Sequence, residues 1–177
     1  MRPKETGAWS IIFCFAYTPI FALEYCQLLL MVTNMPDIHK QARVPHTAEQ
    51  MYNLVNDIAS YPLFLPWCKE VDILGESEDE IRATLHLEKS GLRKSFTTCN
   101  RLQKNKMIEI RLLAGPFSHL EGFWRFVQHE DGQSEVMLDM EFEFANKLIS
   151  FAIEPIFSQI ANSLVDAFSD RAKALYG

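Results

Sequence analysis

Tyr61-Pro62-Leu63-Phe64-Leu65-Pro66-Trp67-Cys68 is the stretch on which the reading of this chain depends. It holds no charged residue and two prolines. Proline removes a backbone donor and fixes φ, so the stretch cannot continue a helix or join the middle of a sheet. A segment this apolar and this kinked does not belong on an open surface. It reads as a wall or lid of a cavity with its side chains turned inward, and the residues after 35 read as the container that it closes.

The totals fit a container of one domain. The chain has 177 residues, of which 48% are hydrophobic and 13 are Phe, enough for one sizeable apolar interior. A net charge of −6 argues against a general DNA or RNA binder, which is usually basic. The four cysteines, Cys14, Cys26, Cys68 and Cys99, form no C-x-x-C pair and have no His at zinc-ligand spacing. Free thiols in a reducing compartment are the simplest reading.

Residues 1–34 form a separate, apolar extension. Arg2 and Lys4 precede an apolar run from Ala8 to Val32, as in a signal peptide, but no small-x-small cleavage pattern follows. Glu24 inside the run is expensive in a membrane helix. Three readings stand open: a membrane anchor or signal, an organelle leader, or an upstream mis-start with Met35 as the true first residue. The last is favoured, because the composition shifts at Met35-Pro36 and a strand follows.

From there the pattern predicts a strand over 38–44. A helix follows, with Thr47 and Gln50 as a capping box and Met51, Leu54, Val55 and Ile58 as its apolar face. After the wall, a strand is expected from Glu70 to Leu74, ended by Gly75. Ile81, Ala83, Leu85 and Leu87 alternate with polar residues, as do Ile108, Ile110 and Leu112, then Leu120, Gly122, Trp124 and Phe126, then Val136, Leu138, Met140, Phe142 and Phe144. Ser90-Gly91, Asn105, Gly115-Pro116 and Asp131-Gly132 mark the turns. Ile149, Ile153, Ile156, Ile160, Leu164 and Phe168 then follow helical spacing over about five turns, and Pro155 should kink or restart that helix. The expected architecture is α+β: a curved antiparallel sheet of six to seven strands gripping a long C-terminal helix, with two short helices after the first strand.

This order, with these residues, resembles the START-like (helix-grip) superfamily, and within it the branch of coenzyme Q-binding proteins and bacterial ribosome-association toxins. The residues that carry the likeness are 51–58, the Tyr61 to Cys68 wall, Phe96-Thr97-Thr98, Gly115-Pro116-Phe117, 120–126, 142–148 and 167–172. It covers 35–177 and none of 1–34. The resemblance implies two roles. One is binding ubiquinone or a similar polyprenyl lipid in support of respiratory electron transfer. The other is association with the large ribosomal subunit that blocks subunit joining. The name polyketide cyclase, also attached to this superfamily, follows from fold analogy and is weak evidence of an activity.

The expected cavity residues are Phe64, Leu65, Trp67, Leu112, Phe117, Trp124, Phe126, Met140 and Phe142, with Phe157, Ile160 and Leu164 from the helix. Ordinary core is the competing reading for each. Trp67 or Trp124 could donate an indole N–H to a quinone carbonyl, although such an N–H more often meets backbone or water. Arg125 is a further candidate donor, but in opposite strand phase to Trp124 it is expected to face solvent. Cys68 reads as a buried, inert thiol, and His86 and His119 as ordinary surface or loop histidines, since neither has a triad partner in the sequence. No catalytic residue, metal site or required cofactor is expected, and no glycine-rich phosphate loop occurs.

One run departs from the acidic average. Lys89, Arg93, Lys94, Arg101, Lys104 and Lys106 fall between 89 and 106 with no Asp or Glu among them. Two strands and their turn are expected to gather several of them on one face, suited to ribosomal RNA or anionic headgroups. The competing reading is a solvated strand edge that discourages aggregation. Together these expectations describe a non-enzymatic lipid carrier, cytoplasmic and peripheral to the inner membrane, with a ribosome-binding inhibitor as the alternative.

Overall fold

A computed structural model describes residues 37–177; the 1–34 extension and the Met35 start lie outside the described residues. The elements run β1 (Asp37–Val44), α1 (Ala48–Asn56), a 3-10 helix (Ile58–Leu63), β2 (Cys68–Glu76), β3 (Glu80–Lys89), β4 (Leu92–Gln103), β5 (Met107–Ala114), β6 (Phe117–Gln128), β7 (Ser134–Phe144) and α2 (Lys147–Tyr176). The seven strands form one antiparallel sheet in the order β1-β7-β6-β5-β4-β3-β2. The meander from β2 to β7 uses short hairpins, and β1 pairs with β7 to complete the far edge.

Local chemistry explains the element ends. The Thr47 hydroxyl accepts from the Gln50 amide at 3.2 Å, and the Gln50 side chain accepts from the Thr47 amide at 2.8 Å, closing the capping box of α1. The β3–β4 hairpin has the two residues Ser90 and Gly91 between Lys89 and Leu92, both with positive φ, the turn whose twist matches paired strands. Alternation sends Ile81, Ala83, Leu85 and Leu87 inward from β3, and Val136, Leu138, Met140, Phe142 and Phe144 inward from β7. These residues and one face of α2 form the core.

Three local expectations are corrected. Gly75 does not end β2; the strand continues to Glu76 through a register shift between Ile73 and Gly75, where the missing side chain makes a bulge easy. Pro155 does not restart the last helix, which runs unbroken from Lys147 to Tyr176. Pro155 is exposed, so the carbonyl one turn earlier that loses its amide partner sits on the solvent side, where water can replace it. The Tyr61 to Cys68 stretch is only partly turned inward. Tyr61, Leu65, Trp67 and Cys68 are buried and Phe64 half-buried, while Leu63 is 73% exposed and Pro66 also faces out. A 3-10 helix brings every third residue to one side, so Tyr61 and Leu63 cannot both point into the core.

Candidate functional site

The inward face of the sheet and the buried face of α2 enclose a cavity of about 70 Å³. Ile58 and Tyr61 from the 3-10 helix and Trp67 from the loop close one side. Leu85 and Leu87 of β3, Phe96, Thr98 and Asn100 of β4, and Ile110 of β5 form the floor. Leu120 and Trp124 of β6 and Met140 of β7 continue it, and Phe157, Ile160, Ala161, Leu164 and Phe168 of α2 form the roof. Gly122 lies between Leu120 and Trp124 on the same face; a Cβ there would already touch the ends of Ile110 and Met140 at 3.5 Å. Trp124 meets Phe168 edge-on at 5.3 Å, which ties floor to roof.

Of the residues expected from the sequence, Trp67, Trp124, Met140, Phe157, Ile160 and Leu164 line this cavity. Phe64, Leu65, Leu112, Phe117, Phe126 and Phe142 do not. Leu65 and Phe142 are fully buried, and Phe126 packs edge-on against Tyr52 at 5.7 Å. Phe64 lies against Phe168 and under the Arg171 guanidinium, 5.3 Å from its ring centre. Phe117 belongs to a second, smaller void of about 10 Å³ beside the first, bounded also by Leu92, Lys94, Pro116 and Ile153. Leu87, Phe96, Phe157 and Ile160 border both spaces. Phe96 packs on Phe117 and Phe157 at 5.6 and 6.1 Å, so an aromatic cluster separates the main cavity from that end of the molecule.

Gly115 holds that corner. Its φ is +149°, and a Cβ would sit 2.6 Å from the Phe96 Cβ. No larger residue fits without moving Phe96 or β4. Thr98, Asn100 and Phe168 are among the lining residues that went unassigned to the site from sequence. Phe168 stood in the helical stripe, but Thr98 and Asn100 carry no signal without the neighbours that seal them in.

Among the described residues, no carboxylate, imidazole or amine lines the cavity. The Tyr61 hydroxyl donates to the Val55 carbonyl at 2.6 Å, and burial pushes its pKa up. The buried Cys68 thiol is pushed up to about 11 by burial, opposed by a backbone hydrogen bond at Glu70. A thiol so placed stays protonated and unreactive at neutral pH. His86 pairs with Asp72 at 2.8 Å on the outer surface, and His119 is half-buried on β6. Arg125 faces out, pairs with Asp139 and lies 5.5 Å over Phe123. Burial works against the Asp139 carboxylate, but His39 and Arg125 hold its pKa below the usual range. Among the described residues, no group of three or more His, Cys, Asp or Glu is placed to hold a metal, and no helix is long and apolar enough to cross a membrane.

The six cations do not form one patch. Lys89, Arg93 and Lys94 flank the β3–β4 turn, whereas Arg101, Lys104 and Lys106 lie toward the β4–β5 turn. At about 3.3 Å per residue the length of β4 holds the two groups roughly 25 Å apart. Arg93 is engaged with Glu88 at 3.1 Å, and Lys69 joins Arg93 and Lys94 around an open surface groove.

The model of the family described as polyketide cyclase / dehydrase and lipid transport matches residues 44–169. The chain belongs to that family. Its match spans α1, strands β2 to β7 and most of α2, and so takes in every residue around the cavity. The ribosome association toxin RatA of Escherichia coli (strain K12) is 43% identical over 148 residues, which are 84% of this chain and 94% of that protein. The mitochondrial coenzyme Q-binding protein COQ10 homolog B of Xenopus laevis is 28% identical over 135 residues, 73% of this chain and 54% of that one. A START superfamily protein from Mycobacterium smegmatis has the same fold, with a TM-score of 0.67 at 21% identity over 78% of this chain and 98% of that one. The expected START-like helix-grip architecture is therefore the one observed.

Proposed function

We propose that this chain is a non-enzymatic carrier that takes a polyprenyl quinone, of the ubiquinone type, between its sheet and α2. The observation that carries the reading is the cavity itself: a largely apolar enclosure with, among the described residues, no carboxylate, imidazole, amine or thiol on its wall, and with the Tyr61 hydroxyl already donating to the Val55 carbonyl. Such a wall suits a prenyl chain, whose burial is favourable by about 25 cal/mol per Å² of apolar area. It presents no group poised for proton transfer near neutral pH, since the Tyr61 proton is held by burial and by the Val55 carbonyl. The similarity to a protein named for coenzyme Q binding agrees in kind.

The volume sets a condition. About 70 Å³ is well under the about 300–1,000 Å³ of pockets for drug-sized ligands, so the grip must open. The aromatic cluster of Phe96, Phe117 and Phe157 is the place, since its rearrangement joins the two voids. Beyond it the end of the molecule carries Lys89, Arg93, Lys94 and Lys147, with exposed apolar residues Leu113, Leu148 and Phe151, the last two 87% and 91% exposed. Cations beside projecting apolar side chains suit an anionic bilayer surface, the source and destination of such a lipid. In this reading the protein works in the cytoplasm, peripheral to the inner membrane.

Trp67 and Trp124 provide the test. Titration of the full chain with a short-chain ubiquinone is expected to quench indole emission saturably, at one ligand per chain. Linear, non-saturable quenching would overturn the carrier reading.

A second reading is association with the large ribosomal subunit, favoured by the 43% identity to the ribosome association toxin. Replacing Arg93, Lys94 and Arg101 by Glu would then abolish co-sedimentation with that subunit and leave lipid content intact.

A further inference from the structure

We propose that Asn100 is the polar anchor of the cavity, hydrogen-bonding the head of the bound lipid while the tail follows the apolar wall. This rests on the carrier reading above and adds to it a specific residue and a demand on the ligand's chemistry. Asn100 is 8% exposed and lies on the inward face of β4, with Ile81 across from it on β3 and Ile110 on β5. Its side-chain Oδ1 is sealed from solvent and has no hydrogen-bond partner. Buried polar atoms are ordinarily paired, and leaving one unpaired costs free energy that a Val or Leu would avoid. Between two isoleucines, at an inward strand position, an apolar residue is what packing alone would select. A break in the local rule at a cavity wall points to a partner that arrives from outside.

The other polar groups nearby do not fill this role. The Tyr61 hydroxyl is spent on the Val55 carbonyl. Thr98, two residues earlier on the same face, is 2% exposed and adds one hydroxyl beside the amide. Asn100 therefore presents a carboxamide on a wall whose other polar side chains are the hydroxyls of Tyr61 and Thr98, and a carboxamide has both an acceptor and donors. Its Oδ1 meets the hydroxyl of a hydroquinone. A half-turn of the amide presents Nδ2 to the carbonyl of the quinone. One residue thus serves both redox forms of the head, as a carrier must if it takes up and delivers the lipid in either state. A pure hydrocarbon would leave the amide unpaired and gains nothing from it.

The test uses the full chain and two variants that remove the amide at different volumes, Asn100→Val and Asn100→Leu. Each is titrated with a short-chain ubiquinone, with its hydroquinone, and with squalene, an isoprenoid with no polar head. The expected result is about a ten-fold loss of affinity for both headed ligands, the equivalent of about 1.4 kcal/mol, with squalene unaffected and the thermal midpoint unchanged or raised. An equal loss for all three ligands would reduce Asn100 to a shaping residue and overturn the proposal. So would unchanged quinone affinity, which would mean that trapped water already satisfies the amide. If the unaltered protein binds none of the three, the carrier reading itself fails and the anchor with it.

Discussion

Trp124 and Arg125 are neighbours on β6 and show what separates the two faces of this sheet. Trp124 is buried at the cavity floor, against Phe126 and Phe168. Arg125 lies on the outer face in a set of charged side chains: Arg125 with Asp139, and Arg111 with Glu109 and Glu121, both at 2.6 Å. One residue of offset along a strand exchanges packing energy for exposed electrostatics. The inner face holds the fold together and forms the site. The outer face keeps the sheet solvated and contributes little to stability.

The largest effect should come from the inner face. Trp124→Ala is expected to destabilise by about 3–5 kcal/mol in denaturant unfolding, the usual cost of truncating a buried aromatic residue. A loss under about 1 kcal/mol would mean that the two faces do not differ as claimed. Gly115→Ala, at the corner beside Phe96, should cost about 1–3 kcal/mol through overpacking. It should also weaken binding if that corner opens to admit ligand.

Cys68 gives a pH signature of the interior. Its pKa is raised from 9.0 to about 11 by burial, so the folded state holds the proton more tightly than the unfolded chain does. The stabilisation is complete below about pH 9 and is lost as the pH rises toward 11. Cys68→Ala should flatten the stability profile in that window relative to the parent protein.

On the outer face, Arg125→Ala should change stability by no more than about 1 kcal/mol, as for other exposed ion pairs, and less in high salt. Phe151→Asp should do least to stability, within about 0.5 kcal/mol, yet abolish flotation with anionic liposomes if α2 meets the bilayer through that side chain.

Much of this contrast was legible in the sequence, because strand alternation is a property of the chain itself. The inward residues of β3, β6 and β7 are those that the two-residue period marks, and Arg125 falls on the outer phase as expected. The capping box at Thr47 and the turns at Ser90-Gly91 and Gly115-Pro116 are equally local, so the order of elements could be derived. The cavity was only half legible. Period two says that Phe126 and Phe142 point inward, but not whether they meet other side chains or empty space; that depends on where α2 crosses the sheet. Asn100 had no signal at all, since an Asn in a strand looks like a surface residue until Ile81, Ile110 and α2 enclose it. The cations misled for the opposite reason. Closeness in sequence suggested one patch, while the extended length of β4 carries the two groups to opposite ends.

The account's central claim is that the space between sheet and α2 opens to hold a polyprenyl quinone. Native mass spectrometry of the full chain, purified from a quinone-producing host and followed by solvent extraction, tests it most directly. The prediction is a single adduct per chain that extracts as a quinone. A protein without bound lipid that co-sediments with large ribosomal subunits would contradict it.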